Sequence, residues 1–267
     1  MFHLRGKGRT PIQTTKKMIK TEDIKKIVKL TLTTGLIINI KTPLSLLLIG
    51  KSGIGKTEVT KNYYGKTILI MTDVSYFGLL DEIKDNRGLQ HLIIMDFLKV
   101  TRKKRSTTDN LIGVLCSFME EGVRIIHLYK KKYDFKGKKL GIITSTTKAS
   151  LSQNRYDWES RGFLQRFMIC SYSYTDQTIE DIMSFIHKEG EEDNKEKISG
   201  KRKIITSTPE LNAQFRIISG DSFRLQKQLM MLAKGNAYLR GDNKVKQEDI
   251  NEIIRLSKYF NFDFIQI

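Results

Sequence analysis

Residues 44–57 have the sequence LSLLLIGKSGIGKT, an apolar run followed by a loop that contains three glycines. The run from Leu44 to Ile49 has the length and composition of a buried parallel strand. The loop from Gly50 to Thr57 matches the pattern G-x-x-x-x-G-K-[ST], in which glycines let backbone N–H groups close around phosphate oxygens. The stretch therefore predicts a phosphate-binding loop between a strand and a helix.

This loop is expected to bind the phosphates of ATP together with Mg²⁺. Lys56 would reach the β and γ phosphates, and the hydroxyl of Thr57 would bind the metal ion. The other loop residues expected to contact the nucleotide are Gly50, Lys51, Ser52, Gly53, Ile54 and Gly55. The alternative interpretation is a glycine turn without a ligand.

Four more segments have the apolar character of strands and alternate with segments of helical spacing. They are TILIMTD (67–73), HLIIMD (91–96), LGIITSTT (140–147) and FMICSYSY (167–174). Such alternation indicates a parallel sheet covered on both faces, with ligands at the carboxyl ends of the strands. Asp96 ends one segment, so its carboxylate is expected to bind the metal ion, directly or through water. The alternative is an ordinary carboxylate at a strand end.

The chain is therefore predicted to be an α/β protein, with a parallel-sheet P-loop NTPase core and a small C-terminal helical lid. The predicted divisions are a basic N-terminal arm and helix (1–38), the ATPase core (39–187), and a charged loop with the lid (188–267). Apolar spacing predicts one helix from Thr21 to about Thr34, another after Tyr174 that ends near His187, and several within 209–260. No strand is expected after Tyr174.

Charge is the most informative bulk property, because a formal net charge of +18 is typical of proteins with a polyanionic partner. The excess is local. Residues 1–30 hold nine Lys and Arg against two acids, 99–105 hold five against none, and 124–139 hold seven against one. The rest of the chain holds 26 of each sign. DNA is the expected partner, the alternative being a set of solvated surface lysines.

Composition also excludes several classes of protein. No apolar run approaches the roughly 18 to 20 residues of a membrane-spanning helix. The first residues, MFHLRGKGRTPIQ, lack the apolar core and cleavage site of a secretory signal, so a cytoplasmic protein without a membrane partner is expected. Cys116 and Cys170 are too few for a disulfide framework and are expected to be buried thiols. No Cys and His spacing suggests a zinc site.

These motifs occur in an order that resembles the AAA+ superfamily of P-loop ATPases, over roughly residues 40–260. The chain is most similar to the clade with a hairpin inserted before the sensor 1 strand, which includes minichromosome maintenance (MCM) helicases and MoxR-type ATPases. The hairpin would consist of RIIHLY (124–129) and FKGKKLGI (135–142), with three lysines between them. In helicases of this clade the tip touches DNA in the central pore. The resemblance implies that role for Lys130, Lys131 and Lys132, the alternative being a solvent-exposed hairpin without a partner.

The resemblance also assigns catalytic roles. Sensor 1 would be Thr146 or Thr147, where many members have Asn. The segment SRGFLQRF (160–167) resembles the box whose arginine reaches the γ-phosphate of the neighbouring subunit, with Arg166 the better match and Arg161 the reserve. Arg224 has the sensor 2 position of the lid. A finger acting between subunits implies a homo-oligomer, and a hexameric ring or a helical assembly is expected.

At one position the chain departs from the AAA+ pattern. Most members have a Glu after the Asp of the metal-binding strand, where it polarises the attacking water, and here the residue is Phe97. Glu120 and Glu121 are candidate substitutes, the alternative being that they face solvent or cap their helix. Because this Glu is absent, the sequence gives no reason to expect fast ATP hydrolysis. Nearby aromatic residues at strand spacing are expected to pack in the core rather than stack on bases: Phe163, Phe167, Tyr172 and Tyr174.

Three functions agree with these expectations. The first is an oligomeric ATPase that couples ATP hydrolysis to DNA translocation or remodelling, as a helicase does. The second is an ATP-gated DNA loader or targeting switch with slow hydrolysis. The third, a MoxR-like protein remodeller, leaves the local positive charge unexplained. We favour the first, with a partner protein in DNA replication or recombination.

Overall fold

The computed structural model describes residues 19–128, 130–174, 177–178, 180 and 195–260. The strands are β1 (Leu46–Ile49), β2 (Tyr63–Tyr64), β3 (Ile68–Met71), β4 (His91–Ile94), β5 (Val123–Leu128), β6 (Lys131–Lys138), β7 (Gly141–Thr146), β8 (Met168–Ser171) and β9 (Glu196–Lys197). The helices are α1 (Ile19–Thr33), α2 (Lys56–Lys61), α3 (Tyr76–Asp85), α4 (Phe97–Thr101), α5 (Arg105–Met119), α6 (Lys148–Ser160), α7 (Pro209–Gln214), α8 (Arg216–Ser219), α9 (Phe223–Leu239) and α10 (Gln247–Leu256).

The central sheet has the strand order β3-β4-β7-β1-β8, and all neighbouring strands in it are parallel. β1 lies between β7 and β8, and β7 separates β1 from β4. The carboxyl ends of all five strands therefore meet at one edge, called here the carboxyl edge, and their amino ends at the opposite amino edge. This arrangement confirms the predicted α/β class with a central parallel sheet, and it is compatible with a P-loop NTPase fold.

The strands of the central sheet are rich in buried apolar residues because both faces of the sheet are covered. In β1, Leu46 and Leu48 belong to one hydrophobic cluster, whereas Leu47 and Ile49 belong to another. The first cluster includes α1, α2 and the helices α9 and α10, and the second includes α3, α5 and α6. No helix in the described residues is both long and apolar enough to cross a membrane.

All five predicted strands are present, but each is shorter than the sequence segment. β4 ends at Ile94 rather than Asp96, because the Asp96 side chain accepts a hydrogen bond from Leu98 N and starts α4. The sequence also missed β9, a two-residue strand that pairs in parallel with β2. The predicted arm over residues 1–18 and most of the predicted helix ending near His187 lie outside the described residues.

The predicted helices of 209–260 are confirmed as α7 to α10. A buried carboxylate joins α9 to α10: Asp249 is 0% exposed and accepts hydrogen bonds from Arg240 at 2.8 and 2.9 Å. Its oxygens also accept from Asn236 Nδ2 and from the backbone N–H of Lys246, each at 2.8 Å. Each oxygen of the Asp249 carboxylate therefore accepts two hydrogen bonds, as burial of a carboxylate requires.

The predicted hairpin is present, but its boundaries in the sequence analysis were wrong. β5 and β6 are antiparallel, with Leu128 opposite Lys131 and His127 opposite Lys132. Lys131 and Lys132 therefore lie in the returning strand, and Lys130 belongs to the turn. The returning strand begins before Phe135 because burial already alternates there: Tyr133 and Phe135 are buried, and Asp134 between them is exposed.

His91, the first residue of β4, is 0% exposed and lies between two glycines. A Cβ at Gly35 would approach His91 Nδ1 at 2.9 Å, and one at Gly141 would approach Nε2 at 2.6 Å. Nε2 lies 3.2 Å from Leu44 O, and Nδ1 has no hydrogen-bond partner among the described residues. Burial lowers the pKa of His91 to about 4, although the contact with the Leu44 carbonyl opposes that decrease. The ring is therefore neutral in the folded protein at neutral pH.

We predict that His91 makes stability depend on pH. Its folded pKa is depressed, so the unfolded state takes up a proton first, and stability present above pH 6.5 is lost as pH falls towards 4. Between pH 7 and pH 5 the loss should be roughly 1 to 2 kcal/mol. Urea unfolding of the parent and of His91→Gln at both pH values measures it. An equal pH dependence in the two proteins would contradict the prediction.

Candidate functional site

The loop between β1 and α2 begins with Gly50 at the carboxyl edge of the sheet. Gly53 and Gly55 have φ angles of +79° and +74°, a left-handed conformation that glycine adopts without steric cost. A Cβ at Gly50 would lie 2.2 Å from the Cδ1 atom of Ile54, which is itself 8% exposed. The three glycines and the buried Ile54 thus define the conformation of this loop.

Lys56 folds back across this loop. Its Nζ donates hydrogen bonds to Gly50 O at 3.1 Å and to Lys51 O at 2.6 Å. Burial lowers the pKa of Lys56 from its usual value, and the nearby Asp96 carboxylate opposes that decrease. The Asp96 carboxylate therefore acts electrostatically on the Lys56 ammonium.

Asp96 is held at the carboxyl edge by one hydrogen bond of its own side chain and by one that joins the preceding residue to β7. Its Oδ1 accepts a hydrogen bond from Leu98 N at 3.0 Å, which caps α4. The preceding carbonyl, Met95 O, accepts from Ser145 Oγ of β7 at 2.7 Å. The hydroxyl of Ser145 thus ties the Asp96 segment to β7, a role that the sequence analysis did not assign.

Thr146 and Thr147 differ in what their hydroxyls do. Thr147 Oγ1 accepts from Ser150 N at 3.2 Å and caps α6. Thr146 is 1% exposed, and its Oγ1 has no hydrogen-bond partner among the described residues. Thr146 O also accepts from Gly50 N at 3.4 Å, so this residue lies at the base of the loop. Thr146, unlike Thr147, therefore has a buried hydroxyl that is not used within the described residues.

The donor set fits Mg²⁺ bound with a nucleotide better than a metal held by protein alone. No group of three or more metal-binding side chains occurs in the described part of the chain. Mg²⁺ commonly binds through one or two protein oxygens together with waters and substrate phosphates. The exposed Thr57 in the loop and Asp96 beside Lys56 are the oxygen ligands that would hold such an ion.

Phe97 belongs to the hydrophobic core and not to the candidate site. It is 0% exposed, stacks on Phe163 at a centroid distance of 5.2 Å, and meets Trp158 edge-on at 5.3 Å. Phe163 in turn meets Phe167 edge-on at 5.0 Å. The expected core packing is confirmed for Phe163 and Phe167. Tyr172 is also buried, and Tyr174 is partly buried against the core. Trp158, to which the sequence analysis gave no role, is a further core residue.

Arg166 and Arg224 lie at the amino edge. The backbone N–H of Met168 at the start of β8 bonds to Ser45 O, and Arg166 precedes Met168 by two residues. Glu120 lies at the same edge because Phe118 O accepts from the N–H of Leu140, just before β7. Arg166 Nη2 and Arg224 Nη2 contact the two oxygens of Glu120 at 2.7 and 2.8 Å. The length of β7, roughly 17 to 20 Å, separates this cluster from the loop.

These positions bear on the roles expected for these residues. Arg166 and Arg224 do not meet Lys56 and Asp96 within one subunit, since they lie at the opposite edge of the sheet. Glu120 cannot polarise water at its own subunit's loop for the same reason. Its interpretation as a substitute for the missing carboxylate was therefore wrong. Arg161, the reserve finger, instead pairs with Asp109 and Asp157 at 2.9 and 3.0 Å.

The hairpin packs on α3 and has a basic side. Tyr133 Oη donates to Asp81 at 2.9 Å, and Lys131 Nζ lies 3.4 Å from the same carboxylate. Lys131 is thus tied to α3, whereas Lys132 is exposed. Between β6 and the end of α3 lies a groove of about 770 Å³, called here the basic groove. Its charged lining consists of Lys84, Asp85, Arg87, Lys132, Asp134, Lys136 and Lys138.

One further connection was invisible in the sequence. Lys103 belongs to the basic run 99–105, and its Nζ contacts Asp73 at 2.6 Å and donates to Val74 O at 2.7 Å. Asp73 and Val74 follow β3 at the carboxyl edge. The Lys103 contact lowers the pKa of the Asp73 carboxyl. The contact joins segments about 30 residues apart in sequence, and only the parallel sheet brings them together.

No family model matches this chain, and no curated protein matches it. The five-stranded parallel sheet with its helices is compatible with a P-loop NTPase fold.

We predict that Phe97→Glu is strongly destabilising. It would remove the aromatic contacts and bury a carboxylate, so the free energy of unfolding should fall by more than about 3 kcal/mol. Phe97→Leu, the apolar control, should lose only about 1 to 1.5 kcal/mol. Denaturant unfolding measures both. A Glu variant as stable as the Leu variant would mean that position 97 can face the nucleotide.

Proposed function

We propose that this protein is a DNA-associated ATPase of the AAA+ type that couples ATP binding and hydrolysis to DNA translocation or remodelling. The supporting observation is the convergence, at the carboxyl edge, of the glycine loop, the ammonium of Lys56 and the carboxylate of Asp96. A loop of backbone N–H groups, a cation and a metal ligand are what a Mg²⁺-nucleotide requires. AAA+ membership rests on the ordered motifs of the sequence.

In this proposal each group has a separate task. Lys56 exchanges its two carbonyl acceptors for phosphate oxygens, which are stronger acceptors of a charged donor. Thr57 and Asp96 would hold Mg²⁺, which would neutralise phosphate charge. Thr146 is the sensor 1 candidate, because its buried hydroxyl has no hydrogen-bond partner among the described residues.

Arg166 and Arg224 act between subunits in this proposal. Their position at the edge opposite the loop suits contact with the nucleotide of a neighbouring copy. A contact between the carboxyl edge of one subunit and the amino edge of the next is head-to-tail, and repeated contacts of this kind give a ring or a helical assembly. A hexamer remains the expectation from the AAA+ resemblance.

A second candidate function is favoured by Phe97. Its complete burial leaves the position after Asp96 without a group that could polarise water. Slow hydrolysis would suit an ATP-gated loader or targeting switch, which assembles on DNA while ATP is bound. ATP turnover with and without single- and double-stranded DNA separates the two functions. Strong stimulation by DNA supports the motor, whereas ATP-dependent DNA binding with almost no turnover supports the switch.

The DNA contact is proposed for the hairpin and the basic groove. The groove carries five cationic side chains against two carboxylates, and Asp134 already accepts a hydrogen bond from the N–H of Lys136. Phosphate backbones are attracted to such surfaces without sequence preference. Of the three lysines predicted at the tip, Lys132 lines the groove, Lys130 lies in the turn, and Lys131 is paired with Asp81.

We predict that Lys56→Ala abolishes ATP-dependent behaviour, because it removes the charge that compensates the β and γ phosphates. Titration with a fluorescent ATP analogue and a phosphate-release assay measure binding and turnover. Lys61→Ala is a matched control, because Lys61 ends the same helix and pairs with Glu58. Unchanged affinity and turnover in the Lys56 variant would refute the phosphate-loop assignment.

For the basic groove, we predict that replacing Lys84, Arg87, Lys132 and Lys136 with alanine weakens DNA binding and flattens its salt dependence. If all four contact phosphates, the slope of log K against log salt should fall by about 3 to 4. The control replaces four exposed cations on the lid side, Lys201, Arg202, Arg216 and Lys244. Equal slopes for the two quadruple variants would exclude the groove as the DNA surface.

A further inference from the structure

The cluster of Glu120, Arg166 and Arg224 combines one carboxylate with two guanidinium groups. Glu120 Oε2 contacts Arg166 Nη2 at 2.7 Å, and Glu120 Oε1 contacts Arg224 Nη2 at 2.8 Å. Each carboxylate oxygen is thus paired with a different arginine. Because two positive charges face one negative charge, the cluster retains a net affinity for anions.

The two arginines are positioned by contacts that do not depend on Glu120. Arg224 Nη1 donates to Gln165 O at 2.8 Å, and Arg166 Nη1 donates to Gly162 O. Arg166 Nε is buried and has no hydrogen-bond partner among the described residues. The guanidinium groups therefore keep their backbone anchors when the carboxylate leaves, and Arg166 retains an unused donor.

Glu120 is the most exposed member of the cluster. It is the C-terminal capping residue of α5, with a backbone outside the helical region at φ −132° and ψ −63°. Its side chain is 43% exposed, against 18% for Arg166. Ion pairs with this degree of exposure contribute little free energy and exchange with solvent readily.

We propose that Glu120 occupies, in the isolated subunit, the phosphate site that Arg166 and Arg224 form for the nucleotide of a neighbouring copy. This inference rests on the proposed function. A terminal phosphate presents oxygens that accept the same guanidinium donors as a carboxylate does, and it carries more negative charge. A neighbouring subunit that brings bound ATP to the amino edge can displace Glu120, whereas one without nucleotide cannot. Glu120 therefore opposes assembly until ATP is bound.

The test uses Glu120→Gln, which keeps the size of the side chain and removes its charge. Self-association of the full chain with ATP and Mg²⁺ is followed by sedimentation velocity over a range of protein concentrations. The variant should assemble at roughly 3- to 10-fold lower concentration than the parent, as expected for loss of two partly exposed ion pairs. Glu121→Gln is the control, since it makes the same charge change on the neighbouring residue and should leave assembly unchanged.

Two further measurements separate the outcomes. In an Arg166→Ala, Arg224→Ala background, Glu120→Gln should have no effect, because no arginine remains to be released. Affinity for a fluorescent ATP analogue should be equal in the parent and both Gln variants. Failure of the parent protein to bind ATP would overturn the proposed function itself. Normal ATP binding with no shift in the assembly of Glu120→Gln, or an equal shift in Glu121→Gln, would overturn only the role of Glu120.

Discussion

Parallel pairing of β1 with β7 and β8 is the constraint on which the candidate site depends. It brings the ends of three strands to one edge, and the N–H of Gly50 continues the ladder by bonding to Thr146 O. The glycine loop therefore begins at a fixed height beside β7. Because β7 also separates β1 from β4, the Asp96 segment lies one strand away from the loop, with the Ser145 and Thr146 hydroxyls between them.

The charged groups of the candidate site divide between the two edges of this sheet. Lys56 and Asp96 belong to the carboxyl edge, and the pair of arginines on Glu120 belongs to the amino edge. A single subunit thus holds two incomplete halves of the machinery that the AAA+ resemblance implies. The distance between the two groups follows from the rise per residue of the strands that lie between them. It also gives the subunit a direction, with different chemistry at its two ends.

The sequence predicted the sheet and the loop well because both depend on local pattern. Apolar runs between helical segments identify buried strands, and GKSGIGKT has few structural interpretations once it follows such a run. The predicted strands were too long because a helix-capping residue that follows a strand, such as Asp96, looks in the sequence like the last residue of that strand. The hairpin was misplaced because lysines were taken as a tip, although the alternation of Tyr133 and Phe135 already indicated strand. Contacts such as Glu120 with Arg224 join residues 104 apart and leave no local signal.

Helix α3 connects the two ends of the molecule mechanically. Its first turn follows Asp73 and Val74, which Lys103 holds beside the segment after Asp96. Near its other end, Asp81 binds Tyr133, and the carbonyls of Ile83 and Asn86 accept from Lys138 of the hairpin. A helix of 10 residues is a stiff rod about 15 Å long. Contacts at both ends of α3 therefore join the segment after Asp96 to the hairpin, and we expect a displacement of one to tilt the helix against the other.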